Sequence, residues 1–211
     1  MDAPTPAAPA AHGPLPGATL DAVLGHLLAA PARCGAARLL CVDGPAGSGK
    51  TTAAGALATA LTADDRVGGA VTVLHMDDHY EGWDGLDAAP GRLARDVVGP
   101  LAAGGVGTYR RYDWYAGAFA ETRRLGPVGP GDVVVLEGVG AGAGVLAPYR
   151  SLLVWVEAPP ALRLRRGLER DGAAVEEHWH GWGRAEQAHF SAQGTRAAAD
   201  LRLDALGRLD G

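Results

Sequence analysis

Apolar residues fall into two kinds of run along this chain. "ARLLCVDG", "GAVTVLHM", "GDVVVLEG" and "SLLVWVEAP" are short, continuous and bounded by turn residues, and they read as strands buried on both faces. The segments between them repeat at helical spacing. In "TLDAVLGHLLAA" (19–30), Leu20, Val23, Leu24, Leu27 and Leu28 share one helical face, with Thr19 placed to cap it. "GKTTAAGALATAL" reads as a small-residue helix, and "APGRLARDVVGPLAAG" as a helix interrupted near Pro100. "PALRLRRGLER" begins with proline in its first turn, and "AAVEEHWHGWGRAEQAHFSAQ" is a further helix. "GTYRRYDW" alternates like a strand, and "ADLRLDA" is a short last strand. Strands alternating with helices predict an α/β fold with a mainly parallel sheet covered on both faces. No repeat and no second domain are visible. Ten of the first seventeen residues are Pro or Ala without a hydrophobic period. This predicts a disordered or extended arm over 1–17, followed by one domain over 18–211.

Composition narrows the class. At 211 residues the chain suits a single domain with a full core. The longest apolar runs are far short of a membrane span, and the first residues lack the basic start and apolar stretch of a secretory signal. A formal net charge of −5 argues against a nucleic-acid surface. Cys34 and Cys41 form neither a disulfide framework nor a metal knuckle, so a reduced cytoplasmic setting is expected. A homo-oligomer is compatible with all of this. Lys and Arg together number 19, and the one Lys is Lys50. A generic cation is Arg everywhere else, which singles Lys50 out for a role that Arg cannot fill.

Its neighbours supply that role. "GPAGSGKT" (44–51) fits G-x-x-x-x-G-K-[ST] in full, directly after an apolar strand and before a helix. Gly44, Gly47 and Gly49 let the backbone N–H groups around Ala46, Ser48 and Thr52 turn inward and surround phosphate oxygens at a helix N-terminus. Lys50 reaches β- and γ-phosphates as a compact point charge, and Thr51 offers a hydroxyl to Mg²⁺. ATP and Mg²⁺ are therefore expected, on a three-layer P-loop NTPase fold. The chain has no Asn, which removes the Asn-Lys-x-Asp guanine-reading motif, and it has no "LSGGQ"-like stretch. A small single domain then points to a kinase of a small molecule.

In "LHMDDHYEGWDG" two carboxylates end an apolar strand, where a parallel sheet binds its ligands. "MDDHY" resembles the Asp-x-x-Tyr motif of the uridine kinase family, which includes phosphoribulokinase-like and pantothenate kinase-like relatives. "RRYDW" resembles that family's Tyr-Asp-Phe segment, "VVVLEGVGA" its strand ending in Glu-Gly, and "LRLRRGLERD" the start of its arginine-bearing lid. The four motifs stand in the family's order across most of residues 38–171. The resemblance implies a kinase moving the γ-phosphoryl group of ATP to an acceptor hydroxyl, such as a nucleoside 5′-hydroxyl. It implies Asp77 as general base, Tyr80 and Tyr112 as aromatic contacts to the acceptor, and Asp84 or Asp87 as an acid gripping hydroxyls. Glu137 matches the acid near Mg²⁺ and its waters, and Arg166 and Arg170 match lid arginines that close on the phosphates. Asp78 has a turn-capping or metal role.

The family's pyrimidine-contacting His is replaced here by Gly117. Trp83, Trp114 and Tyr115 offer flat surfaces instead, which points to an acceptor bulkier or less polar than uridine or cytidine. The rival readings are a same-scaffold kinase for a vitamin precursor or natural product, and an ATP-binding regulatory protein with slow hydrolysis. Trp179, Trp182, Glu186 and Phe190 read as a core-facing helical stripe with His178 and His180 beside it. Arg123 and Arg124 read as a solvated loop pair.

Overall fold

The structure, a computed structural model, describes residues 15–210. The arm expected over 1–17 lies outside the described residues as far as residue 14. Leu15 is already buried against the core, and helix α1 (Gly17–Ala29) begins straight after Pro16. Thr19 is not its cap. It sits within the first turn, and its buried hydroxyl donates to the Gly207 carbonyl at 2.8 Å, tying α1 to the far end of the chain.

The apolar runs form strands β1 (Arg38–Asp43), β2 (Val71–His75), β5 (Val133–Glu137) and β6 (Leu152–Val156), and the last short strand is β7 (Leu201–Leu203). They pair as one parallel sheet in the order β2-β5-β1-β6-β7. The strand that ends in the acidic pair does not lie directly beside β1. Instead β5 lies between them, so Leu40 pairs with Val135 and Val135 with Val73. Central positions Leu39 to Val42 and Val133 to Leu136 are almost wholly buried, because helices cover both faces. On one face α1 and α2 (Lys50–Ala63) pack Leu27, Leu57 and Leu61 onto Leu40, Val42 and Val135. The other face carries α6 (Glu176–Gln193) and a helical run made of α3 (Ala89–Leu93), a π-turn (Ala94–Val98) and α4 (Gly99–Ala102). The interruption expected near Pro100 is this π-turn. Pro100 has no N–H to donate one turn back, and the widened turn shifts the register past it without breaking the helix.

Strand β3 (Gly107–Asp113) pairs with β4 (Ala118–Leu125) in a separate antiparallel hairpin. Arg123 and Arg124 belong to β4 and not to a loop. Arg123 pairs with Glu121 at 2.8 Å, a charged and exposed pattern that hides the strand from a search for apolar runs. Helix α5 (Pro160–Asp171) leads back over the β1–α2 junction, and α7 (Thr195–Ala198) precedes β7. Among the described residues, no helix is long and apolar enough to cross a membrane.

Candidate functional site

The turn from β1 into α2 lies at the C-terminal edge of the sheet. A Cβ on Gly44 would fall 2.1 Å from the Val156 carbonyl oxygen, and one on Gly47 2.5 Å from that of Arg163. Both have positive φ, so glycine is required twice over. Ser48 is buried, Ala46 and Thr52 are half-buried and Gly49 adopts the left-handed conformation that starts α2. Lys50 is buried and donates to the Pro45 carbonyl at 2.9 Å. Burial lowers its pKa, opposed by the negative charges of Glu137, Asp43, Glu186 and Asp77. These acids stand close enough to act on one ammonium group. Thr51 donates its hydroxyl to Glu137 at 3.1 Å, so a hydroxyl and a carboxylate lie together at the mouth of the loop.

The two aspartates diverge. Strand β2 ends at His75, and Met76–Asp78 form a 3₁₀ turn. Asp77 is solvent-accessible yet crowded by protein on most sides. That crowding and the nearby Glu137 raise its pKa, while Arg170, Lys50 and His75 pull it down. Asp78 is half-buried and turned to the hairpin. Its pKa is also raised by burial, and the cations acting on it are His75, Arg111 and Arg123. Asp77 thus shares the electrostatic environment of Lys50 and Glu137, and Asp78 shares that of β3 and β4.

The expected aromatic contacts separate as well. Tyr80 is enclosed in the core, with its hydroxyl donated to the Val139 carbonyl at 2.6 Å and its ring edge-on to Trp182 at 4.9 Å. It offers no face to a ligand, contrary to its expected role. Tyr112 is nearly buried, with its hydroxyl beside Gly82 and its ring edge-on to Trp114 and Phe119. Trp114 is 39% exposed and donates its indole N–H to the Asp77 carbonyl at 3.0 Å. Trp83 packs edge-on to Trp114 and stacks on His178 at 5.2 Å. Trp83, Trp114 and His178 therefore make a partly open aromatic wall beside Asp77. Asp84 is exposed on the Gly82–Asp84 turn, next to that wall. Asp87 is exposed near His189. Gly117 has φ of +64° and closes the hairpin by donating to the Asp113 carbonyl at 2.8 Å. Its glycine identity serves that turn.

The lid arginines also have different duties. Arg166 donates to the carbonyls of Gly47 and Ser48, both at 3.3 Å, so it braces the outside of the glycine loop. Arg170 is bound to Asp171 and lies over the Trp179 ring, within the electrostatic reach of Asp77 and Glu137.

Four further residues belong to the site without being assigned to it by the sequence. Asp43 ends β1 fully buried and accepts N–H groups from Gly44 at 2.7 Å, Gly142 at 2.8 Å and Gly140 at 3.0 Å. It joins the glycine loop to the loop after β5. Burial raises its pKa to about 6 against the pull of those donors and Lys50. His75 holds Glu137 through Nδ1 at 2.6 Å, a contact that raises the imidazole pKa. Glu186 and Arg163 meet at 2.7 Å over the glycine loop. Trp179 and Trp182 are buried and Phe190 half-buried, as the helical stripe predicts, but Glu186 points from that stripe into the site. A cavity of about 300 Å³ between the π-turn and the hairpin is lined by His79, Arg92, Tyr109, Arg110 and Phe119 among others, and none of the expected site residues borders it.

No family model and no curated protein matches the sequence. Solved structures do. A possible uridine kinase from Bacillus stearothermophilus matches with a TM-score of 0.64 at 22% identity, over 88% of this chain and 97% of that one. A provisional fructose transport system kinase from Silicibacter sp. TM1040 matches with a TM-score of 0.54 at 23% identity, over 83% and 93%. The YGR205w protein matches with a TM-score of 0.55 at 14% identity, over 92% and 96%. At these identities the likeness is one of architecture, and by it the chain has the α/β P-loop kinase fold.

Proposed function

We propose that this protein is an ATP-dependent small-molecule kinase that transfers the γ-phosphoryl group to a hydroxyl, with Asp77 as general base. The observation that carries the reading is a complete glycine loop with Lys50 that shares one electrostatic environment with the Thr51–Glu137 pair and the accessible carboxylate of Asp77. The backbone N–H groups of the loop and the α2 N-terminus suit the phosphates of ATP. Thr51 and Glu137 supply the hard oxygen donors that Mg²⁺ takes, in part through water. Bound there, Mg²⁺ neutralises charge on the transferring group. Asp77 accepts the acceptor's proton and orients its oxygen. Arg170 counters charge near Asp77, and Arg166 keeps the loop in shape.

The acceptor rests on Trp83 and Trp114, next to Asp84. Flat indole surfaces favour an acceptor with a broad apolar face, and Gly117 gives no side-chain bond to a pyrimidine edge. Uridine and cytidine are thus poor acceptors in this reading. The test is ADP release from ATP and Mg²⁺ in the presence of nucleosides, sugars and aromatic alcohols, with the acceptor's mass gain followed in parallel. Stimulation by at least one hydroxyl compound is expected. ADP release insensitive to every acceptor class would overturn the kinase reading, and efficient turnover of uridine above all others would overturn the specificity.

A further inference from the structure

Helices α5 and α6 meet above the glycine loop, and their contact is charged. Glu186 on α6 is buried, with its side chain 5% exposed, and Arg163 on α5 is 20% exposed. One Glu186 oxygen accepts the Arg163 guanidinium at 2.7 Å. The other accepts the backbone N–H of Ala46, inside the glycine loop, also at 2.7 Å. Arg163 reaches the Ala46 carbonyl at 3.4 Å, so both sides of that residue's backbone are engaged by the same ion pair. The α5 backbone comes so close here that Gly47 has no room for a Cβ.

A buried carboxylate next to a phosphate cradle needs explaining. Alone, it would repel the anion that the cradle holds and would stand uncompensated in a low-dielectric setting. It also uses a loop N–H that could otherwise point at solvent. Core packing does not require it, since Trp182 on the same helix packs into the core and Trp179 packs against Gly167 of α5. What Glu186 adds is a fixed hydrogen-bond direction for the Ala46 peptide, and what Arg163 adds is the charge that makes this tolerable.

We infer that Glu186 is a positioning residue that sets the glycine loop in its phosphate-ready shape, and that Arg163 is the counter-ion which keeps that acid from repelling the nucleotide. The inference rests on the proposed ATP site, but its two halves are separable. The shape is a property of the free protein, and the charge balance is a property of nucleotide binding. Loop shape depends on the oxygen that accepts the Ala46 N–H, which the single carbonyl oxygen of Gln can still supply and which Ala removes. Charge balance depends on the sum over the pair. Glu186→Gln leaves a surplus positive charge beside the phosphates, Arg163→Met a surplus negative one, and the double variant neither.

The experiment uses the full chain with these single variants, Glu186→Ala and the Glu186→Gln/Arg163→Met double variant. Hydrogen exchange over residues 44–50 is measured without nucleotide, and ATP affinity by calorimetry without acceptor. Exchange is expected to speed up in Glu186→Ala and to stay near wild type in Glu186→Gln. ATP binding is expected to weaken about tenfold in Arg163→Met, to return most of the way in the double variant, and to be unchanged or tighter in Glu186→Gln. Unaltered loop exchange in Glu186→Ala, or a double variant no better than Arg163→Met, would overturn the inference. If Glu186→Ala fails to fold, the ranking of the other three decides. Wild-type protein that binds no ATP would remove the proposed function and the charge half together, while the exchange measurement still judges the shape half.

Discussion

The glycine-loop end of the site is held by buried polar bonds, while the aromatic wall beside Asp77 is held by ring contacts that stay partly open to water. At the first end, Asp43, Glu186, Lys50 and Glu137 are all buried, and their partners are largely backbone groups of the loop and its neighbours. Such bonds are directional and costly to leave unmade, so this end is formed before any ligand arrives. At the second end, Trp83 meets Trp114 by its edge and His178 by its face, and one indole N–H bond ties Trp114 to Asp77. Aromatic contacts contribute area and tolerate sliding. If the proposed function holds, the donor site is fixed and general, whereas the acceptor site sets identity and can adjust.

The sharpest way to break the comparison is at Lys50. Lys50→Ala should abolish turnover, and Lys50→Arg should fail nearly as badly, because a planar guanidinium does not fit a cradle in which the ammonium also bonds Pro45. Steady-state kinetics of the Arg variant decide it, and near-normal rates would mean that this end is not shape-selective. Next comes Asp77→Asn, expected to lower kcat by roughly 10²–10⁴ with ATP affinity held within a few-fold. Because its pKa is raised, the acid limb of the wild-type rate profile should lie above the ordinary carboxylate range, with activity lost as pH falls through it. The limb should vanish in the Asn variant, and Asp78→Asn should keep it.

Smaller effects separate the two ends more finely. Trp83→Ala should raise the acceptor KM about tenfold, roughly 1.4 kcal/mol, and leave ATP binding unchanged. A matching loss of ATP affinity would show that the aromatic wall supports the glycine loop as well. The smallest effect is at Tyr80. Tyr80→Phe strands the Val139 carbonyl and should cost about 1 kcal/mol in denaturant unfolding, with both KM values unmoved. A large rise in the acceptor KM would restore Tyr80 to the binding surface.

Much of this architecture was legible in the chain. Continuous apolar runs marked the central strands, and the glycine loop with its lone lysine marked the phosphate end. The strand β4 was not legible, because its outward charges carry no burial pattern. Nor was the place of β5 between β2 and β1, since periodicity says that a strand is buried but not beside which other strand. Tyr80 and Glu186 show what local sequence leaves open. A tyrosine near an acid resembles a ligand contact, and a glutamate in an apolar stripe resembles a tolerated exception. Only long-range geometry shows that the first donates inward to Val139 and the second reaches Ala46.

The order of the sheet also bears on how the chain is made. Strand β1, which delivers the glycine loop, lies between β5 and β6 in the sheet, with Arg38 beside Val133 and Leu40 beside Leu152. A chain leaving the ribosome therefore presents Leu39 to Val42 with no partner until well past its midpoint, and the strand's two edges are satisfied only after β6 emerges. Pairings this distant in sequence are slow to close and leave apolar edges open to other chains meanwhile. The half that holds the phosphate motif thus depends on the half made last to cover both edges of β1, so a nascent fragment ending before β5 is expected to expose Leu39 to Val42 and to lack the sheet that supports the glycine loop.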